Sequence, residues 1–212
     1  MGTGEASSRL NVLLKAARLA PLDEETMGRF ESYLSLFIRW NKHLNLSAIR
    51  DEEGILSRHF IQSIAVARVL PHGIRSLLDF GSGAGLPGIP IALCRPEIAV
   101  TLSESQGKKA AFLEEVVRVV GIQAKVYWGR AEALRAVFDC VTLRAVDKMP
   151  KAVAAAVGLV GPVGWLALMT TAAEIEQLRE AAGARISWRA PERLPFGEDR
   201  ILALGQRVNS AV

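Results

Sequence analysis

Residues 77–88 read Leu77-Leu78-Asp79-Phe80-Gly81-Ser82-Gly83-Ala84-Gly85-Leu86-Pro87-Gly88. A short apolar run with a carboxylate near its end passes into three alternate glycines and then into a helical pattern. Glycine adopts positive φ and lets the backbone come close to a neighbour that a Cβ would strike. Its spacing here therefore predicts a tight strand-to-helix turn wrapped against a bound nucleoside. Residues 83–88 also satisfy the G-x-G-x-x-G pattern, and Glu104 lies about twenty residues beyond, at the end of the next predicted strand, where a carboxylate accepts from both hydroxyls of a ribose. These residues alone leave the nucleoside's identity open.

Downstream of this turn, short apolar strands alternate with helical patterns. Strands are expected at 77–80, 98–103, 125–128, 138–143, 163–169, 184–188 and 200–205, and helices near 89–93, 108–120, 151–158 and 172–182, with a short one after the third strand. Such alternation predicts an α/β fold on a parallel sheet. The last two strands read as a hairpin-like finish that adds an antiparallel strand, giving seven strands, mostly parallel. Upstream the periodicity is helical. Leu10, Leu13, Leu14 and Ala17 form one short apolar face, and Phe30, Tyr33, Leu34, Phe37, Ile38 and Leu44 form a longer one whose start is marked by Pro21 and Asp23. A third face carries Ile55, Leu56, Phe60, Ile64, Ala67 and Leu70. The boundary falls at Pro71-His72-Gly73, so residues 1–72 are expected to form a helical cap and residues 73–212 a nucleoside-binding domain.

The chain has 212 residues, 50% of them hydrophobic, enough for one sizeable core. Met1 to Ser8 is small and polar, and no apolar run reaches the roughly 18 residues of a membrane span. A cytoplasmic protein without membrane contact is expected. Cys94 and Cys140 sit in apolar stretches and form no Cys/His cluster, so neither a metal site nor a disulfide framework is expected. The net charge of +4 suits a polyanionic partner without identifying one.

Three features favour a methyl donor over a dinucleotide. Asp79 precedes the glycines at the spacing of the class I methyltransferase loop. The sheet pattern ends almost at the C-terminus, leaving no room for the substrate domain of a dehydrogenase. The short segment Gly129-Arg130-Ala131-Glu132 follows the third strand, where methyltransferases line the adenine. The acceptor is narrowed by absences. The fourth strand leads to Thr142-Leu143-Arg144-Ala145-Val146, not to the Pro-Pro-aromatic tetrapeptide of exocyclic-amine methylation, and Cys140 lies mid-strand, where it cannot serve as a covalent nucleophile. The pattern suits an acceptor that already carries a free lone pair, with positioning supplying most of the rate.

Trp40-Asn41 with Asn45-Leu46-Ser47, Arg58-His59 with Ser63, the stretch from Asp79 to Gly88, Glu104-Ser105, Lys108-Lys109, Phe112-Leu113, Arg130 with Glu132, and Arg144-Ala145 occur in one order and spacing. In that order the chain resembles the RsmG (GidB) family over roughly residues 10–208, the cap included. The resemblance implies a Rossmann-like class I methyltransferase using S-adenosyl-L-methionine, with S-adenosyl-L-homocysteine as product and no metal. It implies methylation of N7 of one guanine in the decoding-centre loop of 16S rRNA, on the RNA, the small ribosomal subunit or an assembly intermediate, by a monomer. By the same resemblance Asp79, Gly81, Ser82, Gly83, Gly85 and Leu86 would hold the methionine and ribose of the donor, Glu104 the ribose, and Ala131 and Glu132 the adenine. Arg144 would sit beside the reacting methyl as the catalytic side chain, holding donor or target, since a guanidinium stays protonated.

Candidate RNA contacts are Asn41, Lys42 and Asn45 from the cap, Arg58 and His59, Lys108 and Lys109 at a helix start, and Arg130. The tryptophans are not clustered in sequence, and no aromatic platform is inferred. Met169-Thr170 stands where the family commonly has Lys-Gly, and Gln62 where an aspartate is usual before the serine. An NAD(P)-dependent oxidoreductase, a non-catalytic RNA-binding factor and a small-molecule methyltransferase remain the competing readings.

Overall fold

The computed structural model describes residues 4–208. Strand β1 (Ser76–Phe80) is buried from Leu77 onward, as suits a strand covered on both faces inside a parallel sheet. On one side it pairs with β2 (Ala99–Glu104), which pairs with β3 (Ala124–Trp128). On the other side it pairs with β4 (Phe138–Arg144), which pairs with β5 (Val160–Thr171), and all four pairings are parallel. β8 (Arg200–Arg207) runs antiparallel between β5 and β6 (Ile186–Trp188), giving the order β3-β2-β1-β4-β5-β8-β6. A two-residue strand, β7 (Glu192–Arg193), pairs with part of β8 beyond β6, so the sheet has eight strands where seven were expected. β5 also starts three residues before the expected position. Gly161-Pro162-Val163-Gly164 reads as a turn, yet it lies within the strand as an irregularity that shifts the register between Phe138 and Cys140, with Val163 at φ +52.

Two layers of helices cover the sheet. Alternate residues of the strands face opposite ways, so Leu77, Leu102, Met169 and Leu202 join one core and Leu78, Val141, Leu168 and Ala203 the other. The second core is closed by α7 (Met149–Val157) and α8 (Ile175–Ala182). The first is closed by α5 (Gly88–Cys94) and α6 (Gly107–Val120) together with the N-terminal helices. These are α1 (Glu5–Ala16), α2 (Glu24–Leu44), and a continuous helix made of α3 (Glu52–Ile55), a π-helical turn (Leu56–Ile61) and α4 (Gln62–Val69). Asp23 starts α2 by accepting from the Thr26 amide, and Asp51 starts α3 by accepting from Gly54. The cap is thus not a detached unit. Phe30, Tyr33, Phe37 and Phe60 are fully buried in the same core as the sheet, with Tyr33 stacked on Phe60 at 4.8 Å and Phe37 edge-on to Phe112 of α6 at 6.4 Å. Each such ring contributes roughly 1.5–3 kcal/mol relative to exposure.

The strand order reverses between β1 and β4, since the chain leaves β1 toward β2 and β3 and then returns to β4. In open α/β sheets the crevice at such a reversal, outside the carboxyl ends of the strands, is where ligands bind. Among the described residues no helix is long and apolar enough to cross a membrane, and no group of three or more His, Cys, Asp or Glu side chains is placed to hold a metal.

Candidate functional site

The turn from β1 to α5 lies at this reversal. Gly85 has φ +83, and a Cβ there would fall 2.3 Å from Ile89 Cδ1, so only glycine fits beneath the helix. A Cβ at Gly88 would fall 2.4 Å from Leu102 and 2.7 Å from the Asp79 carboxylate. These two glycines therefore bring the helix down on the sheet, leaving the upper side of the loop to a ligand. Asp79 is 1% exposed. One carboxylate oxygen accepts from the Gly88 amide at 3.2 Å and the other from the hydroxyl of Thr142 at 2.9 Å, its register partner on β4. Burial pushes the Asp79 carboxyl up to about 6, against the hydrogen bonds that favour its charge. The side chain lies beneath the loop and fixes its exit into α5.

Glu104 ends β2 with its carboxylate turned toward the loop. One oxygen accepts from the Gly83 amide at 3.0 Å and the other from the Gln106 amide at 2.7 Å. Each carboxylate oxygen can accept more than one bond, so capacity is left for ribose hydroxyls. The Ser82 amide donates to the Ser103 carbonyl at 2.8 Å, and the Ser103 hydroxyl donates to the Gly129 carbonyl at 3.1 Å. The turns after β1, β2 and β3 are thereby joined into one rim. Ala131, in a single 3₁₀ turn (Ala131–Ala133), is 3% exposed, whereas Glu132 is exposed and paired with Arg130 at 3.2 Å. Leu86 and Ser82 are buried in the loop itself.

Arg144 ends β4, beside that rim, and its guanidinium is held by the π-helical turn. It donates to the Arg58 carbonyl at 2.8 Å, to His59 Nδ1 at 2.8 Å and to the Ser63 hydroxyl at 3.4 Å. A guanidinium only donates, so His59 Nδ1 accepts and its Nε2–H donates to the Ser47 hydroxyl at 2.6 Å. Ser47 is placed in turn by Asn41, whose side chain accepts from the Ser47 amide at 2.9 Å and donates to the Ile49 carbonyl at 3.0 Å. Burial and the neighbouring Arg144 push His59 down to about 3, and burial with the nearby Arg200 pushes Arg144 down to about 10. The imidazole is therefore neutral and the guanidinium charged at neutral pH. Tyr33 ties the cap to the loop from below, its fully buried hydroxyl donating to the Ala84 carbonyl.

The structure brings Gly81, Ser82, Gly83, Gly85, Leu86, Glu104, Ala131 and Arg144 to one edge of the sheet. The candidate RNA contacts are more scattered. Asn41 is 3% exposed with its side chain occupied in holding residues 47–49, and His59 has both nitrogens occupied, so each serves the scaffold behind Arg144. Asn45 caps α2 in the left-handed region and accepts from Arg50. Lys42, Arg58, Lys108 and Arg130 are exposed, and Lys109 is half-buried. Sequence reasoning passed over Tyr33, Thr142 and Arg200. Thr142 carried a signal, a hydroxyl inside an apolar strand, whereas Tyr33 was absorbed into a helical apolar stripe. Of the two family departures, Met169 is 3% exposed and pairs with Arg144 in register, and Gln62 is 2% exposed with its amide donating to the Pro195 carbonyl at 3.0 Å. Burial raises both thiols, Cys94 to about 12 and Cys140 further, so neither is a nucleophile at neutral pH. A cavity of about 430 Å³ lined by Arg39, Trp40, His43, Leu44 and Glu115 includes none of the loop residues.

Comparison with known proteins gives the family and the fold. Residues 26–199 match the family model described as GidB, rRNA small subunit methyltransferase G. The chain is 38% identical over 178 residues to the ribosomal RNA small subunit methyltransferase G of Xanthomonas campestris pv. campestris (strain 8004), covering 82% of each chain. It is 39% identical over 176 residues to the protein of that name from Halorhodospira halophila, covering 82% of this chain and 83% of the other. Among solved structures, a putative O-methyltransferase from Klebsiella pneumoniae superposes with a TM-score of 0.61 at 16% identity, over 99% of this chain and 100% of that one. The O-methyltransferase from Bacillus cereus in complex with SAH superposes with a TM-score of 0.60 at 18% identity, over 93% of this chain and 97% of that one. The structural likenesses show the methyltransferase fold, and on the family match and the extent of sequence identity the chain belongs to the rRNA small subunit methyltransferase G family.

Proposed function

We propose that the protein transfers the methyl group of S-adenosyl-L-methionine to N7 of guanine 527, in the decoding-centre loop of 16S rRNA. The family membership favours a methyl donor over a dinucleotide, a choice that Glu104 alone left open. In this reading Glu104 accepts from the ribose hydroxyls, the backbone of residues 81–86 faces the methionine portion, and the segment at Ala131 and Glu132 borders the adenine. Asp79 acts from beneath by keeping the loop shut down on α5.

The observation that carries the choice of N7 is the chemistry around Arg144. The ionisable neighbours offer an acceptor no free base: both ring nitrogens of His59 are occupied, by Arg144 and Ser47, and the Asp79 carboxylate is 1% exposed and bonded beneath the loop to Gly88 and Thr142. Guanine N7 has an in-plane lone pair and no proton to lose. The lone pair attacks the methyl carbon, the carbon–sulfur bond breaks with its electrons going to sulfur, and the sulfonium charge passes to the guanine ring. Proximity and alignment are then the main means of acceleration. Arg144 has five N–H groups, three of them occupied by Arg58, His59 and Ser63. Two remain to hold the donor or the target nucleotide.

The reading is tested with methyl-labelled S-adenosylmethionine and small ribosomal subunits lacking the modification. The wild-type protein is expected to label the 16S rRNA, and Arg144→Ala to lose at least about 100-fold in turnover, of the order seen when one transition-state-aligned group is removed, while still binding S-adenosylhomocysteine. Absence of label from the wild type would overturn the assignment.

A further inference from the structure

Among the described residues, the large apolar side chains left exposed include only two aromatic rings, Trp128 at 54% and Phe196 at 41%. Both lie at the carboxyl edge of the sheet: Trp128 is the last residue of β3, and Phe196 belongs to the turn that enters β8 where β5 ends, Thr171 pairing with Arg200. Trp128 is tethered, its indole N–H donating to Glu114 at 2.9 Å. Phe196 has its backbone at φ +55, in the left-handed region that a bulky residue rarely adopts. The turn is anchored on both sides. Leu194 is buried and its amide donates to the Arg200 carbonyl at 2.9 Å, while the Pro195 carbonyl accepts from Gln62 at 3.0 Å.

Gln62 ties this turn to the edge of the sheet that carries Arg144. It directly precedes Ser63, which with Arg58 and His59 holds the Arg144 guanidinium, so one stretch of helix hydrogen-bonds both the turn that carries Phe196 and Arg144. Arg144 and Arg200 also lie on the same face of the sheet. Arg144 pairs with Met169 and Arg200 with Thr171, two residues apart on β5. Among the described residues neither arginine has a carboxylate within 4 Å. The turn itself carries Glu198 and Asp199, which would repel a phosphate and leave the π-face of a base as the ligand surface. Unpaired RNA is bound in this way, by stacking of splayed bases on aromatic side chains next to cationic groups.

We propose that Phe196 is a stacking platform for a base of the unpaired substrate loop, held out by its strained turn beside Arg144. The proposal rests on the reading that RNA is the substrate. It is tested by steady-state methylation of unmodified small ribosomal subunits by the wild type, Phe196→Asn and Phe196→Tyr. Asparagine tolerates the left-handed backbone and removes the ring, whereas tyrosine keeps it. The expected result is a fall of about tenfold in kcat/KM for the subunit with Phe196→Asn, corresponding to about 1.4 kcal/mol. Phe196→Tyr is expected to stay within about twofold, and S-adenosylhomocysteine is expected to bind all three proteins equally. Unchanged kcat/KM in Phe196→Asn, or equal losses in Phe196→Asn and Phe196→Tyr, would overturn the platform while leaving RNA methylation in place. A wild type that methylates no RNA would overturn the reading on which the platform rests.

Discussion

Asp79 and His59 are both enclosed beside Arg144, and burial drives their ionisation in opposite directions, Asp79 up to about 6 and His59 down to about 3. Stability follows the protons bound in the folded and unfolded states. Asp79, raised when folded, contributes stability below about pH 4 that is lost as pH rises through about 6. His59, lowered when folded, contributes stability above about pH 6.5 that is lost as pH falls toward 3. Between about pH 4 and 6 the two slopes oppose each other and largely cancel. Relative to wild type, Asp79→Asn is expected to become progressively more stable across that window and His59→Gln progressively less stable, each by on the order of 3 kcal/mol. Urea denaturation at several pH values reads both, and profiles parallel to the wild type would contradict these environments. The sequence placed Asp79 at the loop and, by resemblance, His59 among the candidate RNA contacts. It did not disclose what each side chain faces, because Thr142 and Arg144 reach them from a strand more than sixty residues away in the chain.

At the scale of elements, the strands that surround the site were legible because continuous apolar runs bounded by turn residues are how buried parallel strands read. The start of β5 was concealed by Gly161-Pro162-Val163-Gly164, whose composition signals a turn although the residues continue the sheet around an irregularity. The short β7 has no apolar pattern to reveal it. The π-helical turn at Leu56–Ile61 has no sequence signature of its own, yet it places Arg58 and His59 against Arg144; such turns recur at functional sites. Tyr33 was read as one member of the apolar face of α2. Its hydroxyl is what joins α2 to the loop, through the Ala84 carbonyl. Tyr33→Phe keeps the packed ring and leaves that carbonyl without its buried donor, at a cost of about 1–3 kcal/mol. Weaker binding of S-adenosylhomocysteine by several-fold, read by calorimetry, is the expected outcome, and unchanged affinity would show that the loop does not depend on the cap.

At the scale of the molecule, the division at residue 72 marks a change of periodicity and not of core. The N-terminal helices and one face of the sheet bury their side chains together, so the cap is a wall of the site as well as a candidate surface for RNA. The candidate site draws on residues 33–63, 79–88, 104, 131 and 142–144, whose order is legible in the chain but whose convergence is imposed by the reversal of strand order at β1 and β4. The candidate RNA contacts were named from residue type and resemblance; the fold separates those still exposed, Lys42, Arg58, Lys108 and Arg130, from Asn41 and His59, whose side chains are occupied within the scaffold. On the function proposed above, the protein methylates N7 of a single guanine in small-subunit rRNA. The most direct measurement is to methylate unmodified small subunits, reduce the extracted 16S rRNA and treat it with aniline, which breaks the chain at N7-methylguanine. One new break in the decoding-centre loop, dependent on the protein and on S-adenosylmethionine, is the predicted result; methyl incorporation without that break would contradict it.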